Sequence, residues 1–291
     1  MNINTRSIQK SLLKHFIGPM NYYLSNFAID KNINGKVNIL IIHDIPHHQT
    51  TILEKLLISL QRDYCFLDPI EFVSYMEGNL KIRGMNIVLT FDDGFESNYR
   101  FAKKVLEPNG IKALFFIPSG FIDAPSREKQ IEYIRNNIFT GTNISENDIK
   151  DLYPMTWDEI KDLNNLGHTV GSHTISHARL SLLKDDRIIA DEIVSSAKRI
   201  GECTGIKIEH FAFPFGNVES INSNAYRIAR TQYRFIYSGV RGANDSTTNP
   251  HAIRRQAVSI TDNYDYNRFL ALGGISAYYW RKQKKLDKMI K

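Results

Sequence analysis

Short runs of β-branched and aromatic residues recur along the chain, at 37–42, 87–91, 113–117, 168–171, 210–213 and 235–238. Each is about one strand long and nearly continuous in its apolar content. A strand with one wet face would alternate apolar and polar residues, so near-continuous runs belong to parallel strands covered on both faces. Between them lie segments of helical period, at 51–61, 98–109, 156–166, 182–202 and 222–231. Thr156-Trp157-Asp158-Glu159 has the form of a capping box, and Gly167 follows the last leucine of that segment as a C-cap should. Strand alternating with helix predicts a parallel α/β fold. The chain, 291 residues long, has room for one α/β barrel of roughly 200–250 residues.

Residues 7–28 read as a helical lead-in interrupted at Gly18-Pro19, and the pattern changes after Asn34-Gly35. The expected organisation is a lead-in over 1–35, a barrel over 36–280 and a basic tail over 281–291. The stretch 124–151 is polar and carries no strand signal, so it is expected as an insertion or loop beside one face. The formal charge is +6, and much of the excess sits in Arg281, Lys282, Lys284, Lys285, Lys288 and Lys291. Such an end suits an anionic membrane surface or an acidic ligand; the plainer alternative is a frayed, solvated terminal helix. Basic residues are not interleaved with aromatics along one element, which argues against nucleic acid. Cys65 and Cys203 are far apart and predict core or helix positions, not a disulfide framework. No signal-peptide pattern and no run of about 18 apolar residues is present, so a cytoplasmic protein is expected.

The polar residues of interest follow the expected strands, where active sites collect in parallel α/β folds. Thr90-Phe91-Asp92-Asp93-Gly94 puts two adjacent carboxylates at a strand end. These repel unless something positive lies close, although Asp-Asp-Gly is also an ordinary turn. Gly171-Ser172-His173-Thr174-Ile175-Ser176-His177 places two histidines four apart, suited to one metal ion or to paired core hydrogen bonds. Taken with Asp93 they make one carboxylate and two imidazoles, and three protein ligands with an open fourth position mark a catalytic metal site. His43 follows the first strand, and Phe211-Ala212-Phe213-Pro214-Phe215-Gly216 ends another in a Pro-x-Gly turn.

These motifs, in this order and over roughly residues 36–259, resemble the polysaccharide deacetylase family, the NodB-homology carbohydrate esterases, in its permuted subgroup that acts on poly-N-acetylglucosamine. The resemblance implies a distorted (β/α) barrel of about seven parallel strands. It also implies a divalent ion, first of all Zn²⁺ with Co²⁺ or Ni²⁺ as alternatives, held by Asp93, His173 and His177, with Asp92 as general base. Pro214, Phe215 and Gly216 match the acyl-binding turn, the Phe215 N–H facing the oxyanion.

Two departures matter. Many members have an arginine in the third motif that steadies the base; here Ala212 stands in that slot, and Arg254 or Arg255, the latter preferred, is the candidate replacement. The family's late Leu-x-His motif, source of the general acid, is missing from the C-terminal segment, but Leu40-Ile41-Ile42-His43 resembles it moved to the first strand. The implied activity is removal of an acetyl group from the nitrogen of an amino sugar, in a surface glycan or its precursor. A catalytically inactive glycan-binding barrel and a deformylase of a lipid- or nucleotide-linked sugar remain as alternatives.

Overall fold

The computed structural model describes residues 35–142, 144–259 and 264–290; the expected lead-in over 7–28 lies outside them. The strands are β1 (Lys36–Ile42), β2 (Cys65–Phe66), β3 (Met85–Phe91), β4 (Ala113–Ile117), β5 (Thr169–Ser172), β6 (His210–Ala212), β7 (Phe235–Tyr237) and β8 (Gln256–Ala257). Their order is β7-β6-β5-β4-β3-β1-β8, with β2 beside the first half of β3, and every pairing is parallel. The seven-strand path is a curled, distorted barrel, as expected.

Closure is made by one short segment. Ile253 bridges to Tyr237 of β7, and three residues later Gln256 and then Ala257 pair with Leu40 and Ile41 of β1. The two short strands β2 and β8 were not anticipated, because two paired residues leave no periodicity to read.

Alternation sorts the side chains into two layers, since successive residues of a strand face opposite sides. Leu40, Ile42, Leu89, Phe91, Phe115, Ile117, Val170 and Phe211 face outward into the large core shared with the helices. Val37, Ile39, Val88, Leu114, Phe116, Ala212, Phe235, Tyr237 and Ile253 fill the interior. Burying both faces is what the near-continuous apolar runs encode; each such side chain contributes about 1.5–3 kcal/mol of transfer free energy.

The capping box at Thr156 forms, with Glu159 answering the Thr156 N–H. Three helices contain a wide π turn, at Ala102–Leu106, Ile134–Ile138 and Asp191–Ser195. The stretch 124–151, expected as an insertion or loop, is largely helical: Arg127–Tyr133 continues into the second π turn, and Glu146–Ile149 follows. It packs a small core of its own, Phe95, Phe121, Ile134, Ile138, Ile149 and Leu152, so its polar residues cover a buried apolar stripe that a composition reading overlooks. The basic end is not frayed. Helix Trp280–Met289 docks through buried Leu286, through Asp287 on Arg254, and through Gln283, whose amide donates to the Arg241 carbonyl oxygen. Cys65 is exposed on β2, not in the core, and Cys203 is half-buried; both are free thiols. Among the described residues no helix is long and apolar enough to cross a membrane.

Candidate metal and catalytic site

Strand parity brings the polar residues together. Ile39 faces the interior, so two steps on Ile41 and then His43 do as well; by the same count Val88 leads to Thr90 and Asp92, and Ile253 to Arg255. On β5 Val170 faces out, which turns Gly171 and His173 inward. Asp93 has the wrong parity to join them. It takes φ 73°, and this left-handed residue carries the chain out of the strand alternation and returns the carboxylate to the others. Thr174, His177 and Phe215 also have positive φ; among the described residues these four are the only non-glycines that do. Such conformations cost of order 1–3 kcal/mol each and gather at functional sites.

Asp92 and Arg255 are both buried and form a two-pronged pair. Arg255 Nη1 donates to Asp92 Oδ1 at 2.7 Å, and Nη2 to Oδ2 at 2.9 Å. The remaining guanidinium donors reach Thr90 Oγ1 at 3.1 Å and the Ser238 carbonyl oxygen at 2.9 Å. Burial pushes the Asp92 carboxyl up, but Arg255 and the neighbouring imidazoles outweigh it and hold the group below its ordinary value. Arg254 turns the other way, to Asp287. Of the two candidates, then, Arg255 is the one that meets Asp92.

Asp93, His173 and His177 are all buried, and their ligand atoms lie within 4.8 Å of one another. His173 Nδ1–H donates to the Ala212 carbonyl oxygen, and His177 Nδ1–H to that of Asn137, each at 2.8 Å. With Nδ1 protonated, a neutral ring turns the bare lone pair of Nε2 inward. Those atoms sit 3.6 and 3.2 Å from Asp93 Oδ1, which is buried without a hydrogen-bond partner. Three lone pairs facing one another are repulsive unless a proton or a cation lies among them. Ligand bonds of about 2.0–2.2 Å in a tetrahedral arrangement would put the donor atoms about 3.4 Å apart, so the residues present fit a divalent ion. Burial raises the Asp93 carboxyl, yet the two imidazoles hold it well below its usual value; burial lowers His177, yet Asp93 beside it raises it.

The loop carrying both histidines is clasped from behind. Glu192, in the third π turn, accepts from the Ile175 and Ser176 N–H groups at 3.0 and 2.9 Å, and from Ser176 Oγ at 2.6 Å. Tyr133 Oη donates to the Ile175 carbonyl oxygen at 2.8 Å. The Phe215 ring packs against His177 on one side and carries the Arg179 guanidinium 4.0 Å over it. Gly216 follows with φ 61°, and a Cβ there would meet Gly239 backbone at 2.4 Å, so only glycine closes this turn. Among the described residues nothing accepts a hydrogen bond from the Phe215 N–H.

His43, Asp92, Asp93, His173, His177, Phe215, Gly216 and Arg255 all line one open cleft of about 740 Å³, and Pro214, next to Phe215 in the chain, is buried. The His43 ring is exposed at the edge, while its carbonyl oxygen accepts from the buried Asn98 amide at 2.7 Å. Of the candidates singled out in the sequence, Arg254 does not join them. Asn137, Arg179 and Glu192 were not singled out; they act through contacts across the fold, and no local spacing announces them.

Residues 81–235, more than half of the chain, match the family described as polysaccharide deacetylase. A search of curated proteins returns no match. Among solved structures, the chain is similar to the Streptococcus pyogenes deacetylase PplD in complex with acetate, at 17% identity and TM-score 0.64, covering 82% of this chain and 99% of that one. It is also similar to IcaB from Ammonifex degensii, at 22% identity and TM-score 0.60 over 81% and 97% of the two chains. A third likeness is to a de-N-acetylase from Aggregatibacter actinomycetemcomitans, at 14% identity and TM-score 0.61 over 81% and 99%. At these identities the structures speak to the fold alone; the family rests on the sequence match and on the motifs already placed. The chain belongs to the polysaccharide deacetylase family.

Proposed function

We propose that the chain hydrolyses the N-acetyl group of an amino sugar in a glycan or its precursor, with a divalent ion held by Asp93, His173 and His177. The observation that carries this reading is the contrast between adjacent carboxylates in one cleft: Asp92 paired through both oxygens with Arg255, and Asp93 Oδ1 facing two imidazoles with no partner. Bound there, a divalent ion, Zn²⁺ first by its carboxylate-and-two-imidazole ligand set, would supply the Lewis acidity that acidifies water and polarises an acyl oxygen.

The protein's own groups do the rest. Asp92 is kept ionised, and with Arg255 fixing both oxygens it takes the proton of the attacking water along a free lone pair. The Phe215 N–H is free to donate to the oxygen that gains charge on the acyl group. Pro214 and Gly216 hold that N–H in place. His43, as an imidazolium, delivers a proton to the departing amine, a poor leaving group without one. An acetate-release assay on N-acetylated sugars in free, nucleotide-linked, lipid-linked and polymeric form tests the reading. Release that stops with a chelator and returns with Zn²⁺ is expected; no release from any of them would overturn it.

A peripheral contact with the cytoplasmic face of a membrane fits the same picture. Tyr278 is 87% and Trp280 49% exposed, and Arg281, Lys284, Lys285 and Lys288 are exposed on the same helix as Trp280. Tyr279, between the two aromatics, lines the cleft. Exposed aromatics among basic residues suit an anionic lipid surface. Co-sedimentation with anionic vesicles, weakened when the four basic residues become glutamate, is expected; equal sedimentation of both chains would remove the idea.

A further inference from the structure

Two arginines line the cleft, and of these one is matched by a carboxylate, as is the neighbouring Arg254. Arg255 is held by Asp92, and Arg254 donates twice to Asp287, at 2.7 and 2.8 Å. Arg241 is different. It lines the same cleft and is half-buried, and among the described residues no carboxylate lies within ion-pairing distance of it. Its Nη2 donates to the Ala257 carbonyl oxygen at 2.6 Å, while Nη1 is shut off from solvent with no hydrogen-bond partner. A guanidinium drawn partly out of water with neither counter-charge nor full hydrogen bonding is costly, and such groups are normally paired. The fold nevertheless fixes it there, by the bond to Ala257 and by the Gln283 amide that donates to its carbonyl oxygen.

Its place in the cleft is defined by that strand. Ala257 is two residues past Arg255 and pairs with Ile41, two residues before His43. Two residues of strand span about 7 Å, so the carbonyl that anchors the guanidinium lies about that far along the backbone from both Arg255 and the partner position of His43. Asn217 and Tyr279 line the same cleft, while the nearby Lys282 ammonium, 3.5 Å from Asn217 Oδ1, is already paired with Glu219 at 3.3 Å and leaves Arg241 as the unmatched cation.

We propose that Arg241 forms an anion subsite, and that the substrate is an amino sugar carrying a phosphate or a carboxylate next to the ring that is deacylated. The inference rests on the hydrolase reading and narrows its substrate class. A guanidinium forms charge-assisted hydrogen bonds to either anion; the two sources differ, one a sugar phosphate and the other a neighbouring acidic sugar.

Calorimetric binding to the Asp92→Asn chain, so that nothing is consumed, separates them with three probes: N-acetylglucosamine, N-acetylglucosamine 1-phosphate, and a disaccharide of N-acetylglucosamine with glucuronate. At least one anionic probe should bind about ten- to a hundredfold more tightly than the neutral sugar, the range expected of a charge-assisted hydrogen bond. Adding Arg241→Gln should erase that gap and leave the neutral sugar unchanged, while Arg241→Lys should keep part of it. The anionic probe that binds tighter identifies the source. Equal binding of all three, or a gap that survives Arg241→Gln, overturns the subsite. Failure of the parent reading is seen separately, as absence of acetate release by the unmodified chain from every sugar, charged or neutral.

Discussion

Asp92 and Asp93 are neighbours in the chain and equally buried, at 4% exposure each, yet they live in opposite surroundings. Every oxygen of Asp92 already receives an N–H from Arg255, so that half of the centre is complete within the polypeptide. Asp93 points an oxygen at two nitrogens that also present lone pairs, so the other half is complete only with a positive charge among them. Parity explains the difference. Asp92 continues β3 into the interior toward the arginine of the closing segment, whereas Asp93 must leave the strand geometry to reach the histidine loop. Adjacent identical residues are thus made to do unlike chemistry by one left-handed backbone position.

Changes on either side of this divide should have separable effects. The largest is expected for Asp93→Asn or His173→Ala: bound metal, measured by elemental analysis, should be lost and acetate release should fall to the rate without metal. Asp92→Asn should keep its metal while turnover drops about 10²–10⁴-fold, the usual size of a general-base contribution. Parallel loss of metal and rate in that variant would erase the distinction. Arg255→Met leaves a buried carboxylate unpaired and should cost about 3–5 kcal/mol in denaturant unfolding. Adding Asp92→Asn to it should recover much of that stability and none of the activity.

Glu192→Gln loosens the clasp on the histidine loop and should weaken metal affinity by about 10–100-fold, the range typical for groups that orient ligands.

The smallest effect is on stability against pH. His210 is buried away from the site, its Nδ1 3.0 Å from Tyr237 Oη, and burial lowers its pKa to about 4. Between about pH 6.5 and 4 the unfolded chain therefore binds the proton that the folded chain refuses, and stability should fall by about 1 kcal/mol per pH unit as the solution is acidified. The Asp92–Arg255 pair has the opposite kind of shift: its carboxyl is depressed, so its contribution is present above about pH 4 and is lost only below that. Burial lowers His168 to about 4 as well, so His210→Phe should lessen the slope of the first window without abolishing it and leave the second, as read from denaturant midpoints across pH.

Much of this centre could be read before any coordinates. The strand runs, the Asp-Asp-Gly turn and the paired histidines are local patterns, and alternation then fixes which side chains share a face. Arg255 was harder. No spacing links it to Asp92, 163 positions away, and only the alanine at 212, where many family members carry an arginine, points to a substitute elsewhere in the chain. Asn137 lay inside a stretch read as polar loop, and its role depends on a carbonyl, which no side-chain pattern can express. Glu192 and Arg241 look like ordinary surface charges in the sequence. What distinguishes them is the partner each meets or lacks across the barrel, and that information exists only once the chain has closed.

The closing segment carries a further consequence. The arginine that completes Asp92 rides on a short join, a two-residue ladder on one side and a single bridge on the other. Elements held by so few backbone bonds tend to open on their own, at a free energy below that of the whole domain. Heating should therefore silence the enzyme before it melts: amide exchange at 250–258 and loss of turnover should rise together, several degrees ahead of the loss of helix signal.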